Sequence, residues 1–205
     1  MIIEMRTYTL KPGSVPVVEQ RFGKALPARV KFSRLAAFWH TEVGPLNQVI
    51  HVWPYDSLAH REQARAAAAK VEDWPPNIRE FIVDQKSEIM TPAPFSPPLD
   101  EERAYGNLYE IRTYTYQPGT MPTVIQRWSE KIEERVKLSP LVGAWYTDLG
   151  ALNRWVHVWA YKDYAERECI RRESFSSKKW PPATGEFLIK MENMLVAPAP
   201  FSPLR

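Results

Sequence analysis

Apolar and polar residues alternate from Ile2 to Leu10 in a stretch rich in β-formers, and the pattern predicts a strand. Lys11-Pro12-Gly13 turns the chain. The period then changes. Val15, Val18, Phe22, Leu26 and Val30 recur at helical spacing, with Ser14 placed to cap the helix and Pro16 in its first turn, where no N–H is needed. Pro27 falls inside this helix and predicts a kink. Strand character returns over Leu35–Val43 and Leu46–Tyr55, joined by a tight turn at Gly44-Pro45. Ser57 is placed to cap a second helix over Arg61–Lys70. Trp74-Pro75-Pro76 breaks the chain, and Glu80–Met90 gives a fourth strand. Three prolines in Pro92–Pro97 leave room only for an extended arm.

The same phrase then begins again. Shifting the chain by 106 positions aligns residues 4–97 with 110–203 without a gap, and about forty of the aligned pairs are identical. EMRTYTLKPG at Glu4–Gly13 returns as EIRTYTYQPG at Glu110–Gly119. The helical stripe returns as Met121, Val124, Trp128, Ile132 and Val136, with Glu133 in place of Pro27, so only the first copy should kink. Asp163 with Glu166 has capping-box spacing. Residues 1–97 and 108–205 therefore read as two repeats of β-α-β-β-α-β order, joined by a linker at 98–107 rich in charge and bounded by proline and glycine. The fold class is α+β. Each repeat is a ferredoxin-like two-layer sandwich with one bare sheet face, and the two bare faces pair into a pseudosymmetric α/β barrel.

Alternation also assigns faces. The Ile50/Val52 side of the third strand is wholly apolar and suits the helices. The other side is expected to look into the barrel, carrying Glu4, Arg6, Tyr8, Asn47, His51 and Trp53, joined by Trp39 and Thr41. The second copy supplies Glu110, Arg112, Tyr114, Asn153, His157, Trp159, Trp145 and Thr147, and all eight pairs are identical. Such a lining suits an aromatic or carboxylate-bearing small molecule. Arg6 and Arg112 would clamp a carboxylate. Tyr8, Trp39, Asn47, Trp53 and their counterparts Tyr114, Trp145, Asn153 and Trp159 complete the ligand-binding set. His51 and His157 are candidate general bases near neutral pH, with Glu4 and Glu110 as further catalytic candidates. The opposing reading is a barrel filled by its tryptophans, in which Glu4 and Arg6 only neutralise one another and no chemistry occurs.

Composition narrows the classes. No apolar run approaches the roughly 20 residues that span a bilayer. The first residues, MIIEMR, do not read as a signal peptide. The single cysteine, Cys169, permits no internal disulfide and no cysteine-based zinc site, so a reducing cytoplasmic setting is expected. The net charge is +3, with 27 basic residues scattered among 24 acidic ones, which gives no basic stripe for a nucleic acid. Of His40, His51, His60 and His157 only the His51/His157 pair recurs, so no metal cluster is expected. No phosphate loop or G-x-S-x-G motif is present, and no cofactor is called for.

EMRTYT and EIRTYT, the hairpins ending in His51–Tyr55 and His157–Tyr161, and a unit of about 100 residues repeated twice resemble the NIPSNAP family over nearly the whole chain. That resemblance implies the dimeric α/β-barrel, ferredoxin-like superfamily. Its members include cofactor-free monooxygenases, lactone isomerases, polyketide cyclases and haem-handling enzymes, so the fold by itself selects no reaction. The resemblance also points to a homodimer or larger homo-oligomer. The combined expectation is a barrel that binds a small molecule, with cofactor-independent catalysis as its stronger form and a structural or interaction module as the alternative.

Overall fold

A computed structural model of the chain describes residues 1–176 and 180–205. The first half runs β1 (Ile2–Leu10), α1 (Val15–Arg29), β2 (Ala37–Val43), β3 (Gln48–Tyr55), α2 (Leu58–Ala68) and β4 (Ile82–Pro92). The second runs β5 (Leu108–Tyr116), α3 (Met121–Ser129), α4 (Ile132–Val136), β6 (Leu141–Leu149), β7 (Arg154–Tyr161), α5 (Tyr164–Ser176) and β8 (Leu188–Pro198). The strands close into one antiparallel barrel in the order β1-β3-β2-β8-β5-β7-β6-β4. Closure is reciprocal. β4 keeps its pairing with β1 and adds β6 on its other edge, and β8 likewise joins β5 to β2. A closed barrel has no free strand edge, which removes the pairing hazard of an open sheet.

The extended arms continue the exchange. Phe201 packs on Phe22 and Phe38 of the first half, with ring centroids 6.2 and 5.0 Å away, and Phe95 packs on Trp155 of the second. Ser202 Oγ accepts from the Phe38 N–H and Ser96 Oγ from the Ala144 N–H. The segment expected as a linker also does structural work. Leu99 and Tyr105 pack with Leu204 against the end of the barrel core.

Two local expectations are corrected. α1 runs unbroken through Pro27, whereas the second copy divides into α3 and α4. Pro27 lies in the last turn of α1, which ends two residues later at Arg29, so little helix follows the ladder bond it removes. In the second copy the Ser129 hydroxyl donates to the Ile125 carbonyl at 3.0 Å, a back-bond that competes with the helix ladder and ends α3 there. Ser14 holds the N-cap position, but its hydroxyl donates to the Lys11 carbonyl and caps nothing. Ser57 does cap α2, accepting from the His60 N–H at 3.1 Å.

The larger correction concerns faces. Ile3, Met5, Ile50, Val52, Met90 and Trp39 meet Ile111, Val156, Val158, Val196 and Trp145 in one core drawn from both halves. This is the barrel interior. Tyr8, Val49 and Trp53 lie instead with Val18 and Phe22 of α1, on the outside of the barrel and under the helices. An eight-stranded barrel is narrow enough for side chains to fill it, and its middle takes the more apolar face of the strands. The helical layer is the less complete cover: α2 buries only Ala64 and Ala68. The polar face goes there. The space left in the barrel is a polar mouth of ≈ 330 Å³ lined by Lys86, Thr113, Arg154 and Glu192.

Candidate functional site

Each half carries a slot between the outer sheet face and its helices. In the first, β1 presents Glu4, Arg6 and Tyr8 on one face. β3 presents His51, Trp53 and Tyr55 beside them, with Arg6 opposite His51 and Glu4 opposite Trp53 in the register. The end of α1 adds Arg29, α2 adds Arg65, and the Trp74-Pro75 break adds the outer wall. The cavity holds ≈ 260 Å³.

Its electrostatics are lopsided. Glu4 is fully buried, and its Oε1 accepts from Arg6 at 2.9 Å, Arg61 at 2.7 Å and Ser87 at 2.7 Å, with Arg65 3.8 Å away. Burial alone would raise the Glu4 pKa; these hydrogen bonds more than reverse that and hold it at about 2. One carboxylate thus serves three guanidiniums. Arg29 is the fourth, 3% exposed. It donates to Ser33 Oγ at 2.7 Å and Tyr55 Oη at 2.9 Å and lies 4.5 Å over the Trp53 ring, with no carboxylate in contact among the described residues. Burial lowers its pKa, as expected of a cation short of a counter-ion.

His51 is locked by its neighbours. Trp53 Nε1–H donates to its Nδ1 at 2.6 Å, so the neutral ring carries its proton on Nε2. That Nε2 is buried and has no hydrogen-bond partner among the described residues. Burial, then the Arg6 charge, lowers the His51 pKa to about 3. At neutral pH the ring is an uncharged donor.

The second half repeats the plan. Glu110 Oε1 accepts from Arg112, Arg167 and Asn193, and Arg135 donates to Ser139 and Tyr161 while lying 4.0 Å over Trp159. Trp159 Nε1–H donates to His157 Nδ1 at 2.7 Å; the His157 Nε2 is again without a partner among the described residues, and burial holds its pKa well below the usual value. The cavities differ in extent. In the first half a separate hollow of ≈ 460 Å³ between Phe22, Ile78 and Gln85 adjoins the slot across Tyr8, Trp74 and Pro75. In the second, a single cavity of ≈ 250 Å³ runs past Trp180 as far as Tyr116 and Thr184.

Of the residues expected from the sequence, the structure gathers Arg6, Tyr8, His51 and Trp53, and likewise Arg112, Tyr114, His157 and Trp159, around these slots. Glu4 and Glu110 lie behind the wall, on the arginines. Trp39 and Trp145 do not join them; they fill the barrel core, because the β2–β3 register pairs Trp39 with Ile50 and so gives it the inner face. Thr41 and Thr147 follow them and accept from the Gln48 and Arg154 backbone N–H groups. Asn47 and Asn153 are hairpin-turn residues with φ of 57° and 58°, a left-handed conformation that asparagine tolerates, and they line neither slot. Sequence reading missed Arg29, Arg65, Tyr55 and Trp74 with their counterparts Arg135, Arg171, Tyr161 and Trp180. Their identity in both copies was the available signal. Among the described residues no three His, Cys, Asp or Glu side chains gather as metal ligands, and no helix is long and apolar enough to cross a membrane.

Comparison with known proteins agrees with the duplicated plan. The human protein NipSnap homolog 3A is 34% identical over 214 residues, covering 98% of this chain and 85% of its own length. The Dictyostelium discoideum NipSnap homolog is 26% identical over 94% of this chain and 84% of its own. A crystal structure from Lactobacillus acidophilus superimposes with a TM-score of 0.71 over 96% of this chain and 92% of its own at 8% identity, a likeness of fold. The NIPSNAP family model matches twice, over residues 3–97 and 109–203, and the chain belongs to the NIPSNAP family.

Proposed function

We propose that the protein binds a small aromatic anion, a carboxylate above all, in each of the two slots between sheet and helices. One observation carries this reading: each slot holds three arginines on its wall, and one of them, Arg29 or Arg135, is buried with no carboxylate in contact among the described residues. A buried guanidinium is costly unless an anion reaches it. The aromatic walls supply the apolar body of the site, and the unpartnered His51 and His157 N–H groups supply a donor. The site expected inside the barrel thus moves to its outside. If the protein acts on its ligand without a cofactor, these histidines are placed to donate a hydrogen bond rather than to act as the bases expected from the sequence.

The test is a titration of biphenyl-4-carboxylate against tryptophan fluorescence, with biphenyl-4-carboxamide as the neutral match. The acid should bind at least tenfold tighter, and Arg65→Gln with Arg171→Gln should lower its affinity about tenfold, as loss of a charge-assisted contact does. Equal affinity for acid and amide would refute the reading. A non-catalytic interaction module remains the second reading, supported by the filled barrel core. A homo-oligomer would have to use helices and hairpin tips, since closure leaves no sheet edge; a monomer mass of 23.8 kDa in light scattering would remove it.

A further inference from the structure

The arginine ends of the two slots share a one-sided hydrogen-bonding character. No carboxylate or amide side chain lines either slot among the described residues. The ring nitrogens and phenol oxygens that could accept are already taken. In the first half the Tyr8 hydroxyl oxygen accepts from Arg6 Nε at 2.9 Å, the Tyr55 oxygen from Arg29 at 2.9 Å, and His51 Nδ1 from the Trp53 indole. In the second, the Tyr114 oxygen accepts from Arg112 at 2.8 Å, the Tyr161 oxygen from Arg135 at 3.2 Å, and His157 Nδ1 from the Trp159 indole. A guanidinium only donates, so each of these phenols aims its own hydrogen elsewhere. The Tyr8 and Tyr114 hydrogens meet no acceptor among the described residues, and neither do the Nε2–H groups of His51 and His157. Each phenol ring stands edge-on to its imidazole with centroids 4.8 Å apart, so the two free donors are neighbours in both halves.

We infer that each slot selects an aromatic 2-oxo acid and rejects the matching 2-amino acid. The inference rests on the anion reading of both slots. The carboxylate meets the buried Arg29 or Arg135, and the keto oxygen accepts from the Tyr8 hydroxyl and His51 Nε2–H, or from Tyr114 and His157. One indole sets the spacing in each half. Arg29 lies 4.5 Å over the Trp53 ring whose N–H holds His51, and Arg135 lies 4.0 Å over the Trp159 ring whose N–H holds His157. Guanidinium and imidazole thus rest against the same ring, which favours ligand oxygens on adjacent carbons. A keto oxygen brings lone pairs and no hydrogen, the complement of these donors. An ammonium at the same carbon brings three donors and a positive charge to a wall of arginines with no free acceptor, and its desolvation goes uncompensated.

The probes are phenylglyoxylate, phenylacetate, phenylglycine and phenylacetamide, which differ only at the 2-carbon or in the charge of the head. Each is titrated at pH 7 into ¹⁵N-tryptophan-labelled protein and followed by the indole N–H resonances of Trp53 and Trp159, assigned by the signals absent in Trp53→Phe and Trp159→Phe. Phenylglyoxylate should half-saturate at about one-tenth the concentration of phenylacetate, the effect of one good hydrogen bond in a dry site. Phenylglycine should need at least about tenfold more than phenylacetate, the cost of burying unpaired donors. In Tyr8→Phe combined with Tyr114→Phe, phenylglyoxylate and phenylacetate should come within about threefold of one another. Equal half-saturation by those two acids in the wild type, phenylglycine matching phenylacetate, or a tenfold ratio that survives both substitutions overturns the inference and leaves the anion reading standing. If phenylacetate binds no better than phenylacetamide, the anion reading falls and the inference falls with it.

Discussion

Glu4 is the sharpest point at which to perturb the protein. Replacing it by glutamine keeps the shape and one carbonyl oxygen but removes the one carboxylate that, among the described residues, contacts Arg6, Arg61 and Arg65. Two routes give the size of the effect. A carboxyl held at about 2 against an ordinary value of 4.5 contributes about 3 kcal/mol at neutral pH by proton linkage. Removing one partner of a buried pair costs about 3–5 kcal/mol. The Arg6 and Arg61 side chains are 15% and 22% exposed, so water takes up part of the stranded charge and the lower figure is expected. The sign follows from the direction of the shift. A depressed carboxyl pKa stabilises the fold fully above about pH 4.5, and that contribution drains away as pH falls through 2. Urea denaturation of the wild type and Glu4→Gln should therefore differ by about 3 kcal/mol at pH 7 and converge near pH 2. A gap under about 1 kcal/mol at pH 7, or one that stays constant down to pH 2.5, would refute the assignment of a stabilising buried charge to Glu4.

Three further outcomes are expected. NMR titration of the imidazoles should find His51 and His157 unchanged between pH 8 and 5, protonated at Nε2 with an unprotonated Nδ1, while His40, whose pKa Glu19 and Glu42 raise, titrates above the ordinary value; titration of His51 near pH 6.5 would contradict its burial. Trp39→Ala should destabilise the fold by about 3–5 kcal/mol in thermal or urea unfolding, as large core truncations do, yet leave biphenyl-4-carboxylate binding intact below the transition; loss of binding by the folded variant would return the site to the barrel interior. Gly106→Ala should cost about 2 kcal/mol or more, because φ is +143° and an added Cβ would strike the Tyr161 backbone, whereas Gly13→Ala, at φ +79° with open space around it, should cost about 1 kcal/mol.

The strands and their doubling were legible because period-two alternation is a direct imprint of a pleated sheet and a 106-residue shift needs no structure to be seen. β1 falls on the residues its alternation predicts. What alternation does not carry is which face is inside. In this barrel both faces are buried, one against the opposite sheet and one under helices, and Ile50/Val52 are as apolar as either environment demands. The pairing of Trp39 with Ile50 rather than with His51 is a matter of register, set by the hairpin turn at Gly44–Asn47. From the sequence Arg61 reads with Glu62 as a solvated or inter-repeat ion-pair face, and Arg65 goes unmarked, for a related reason. On a helix with alanine at most buried positions they look like solvated surface, and only the fold brings them over a buried glutamate from the first strand.

The exchange of arms and edge strands has a consequence for synthesis. While only the first half has emerged from the ribosome, β2 and β4 are its outer strands, and the partners of both, β8 and β6, do not yet exist. The slot between Phe22 and Phe38 stands without Phe201, and the hydroxyl that receives the Phe38 N–H is encoded 164 residues downstream. A ribosome that stalls between the copies therefore releases a species with two open edges and a missing ring, able to satisfy them only by joining another such half or by aggregating. Duplication within one reading frame supplies the missing half in cis, at an effective concentration no free partner would match.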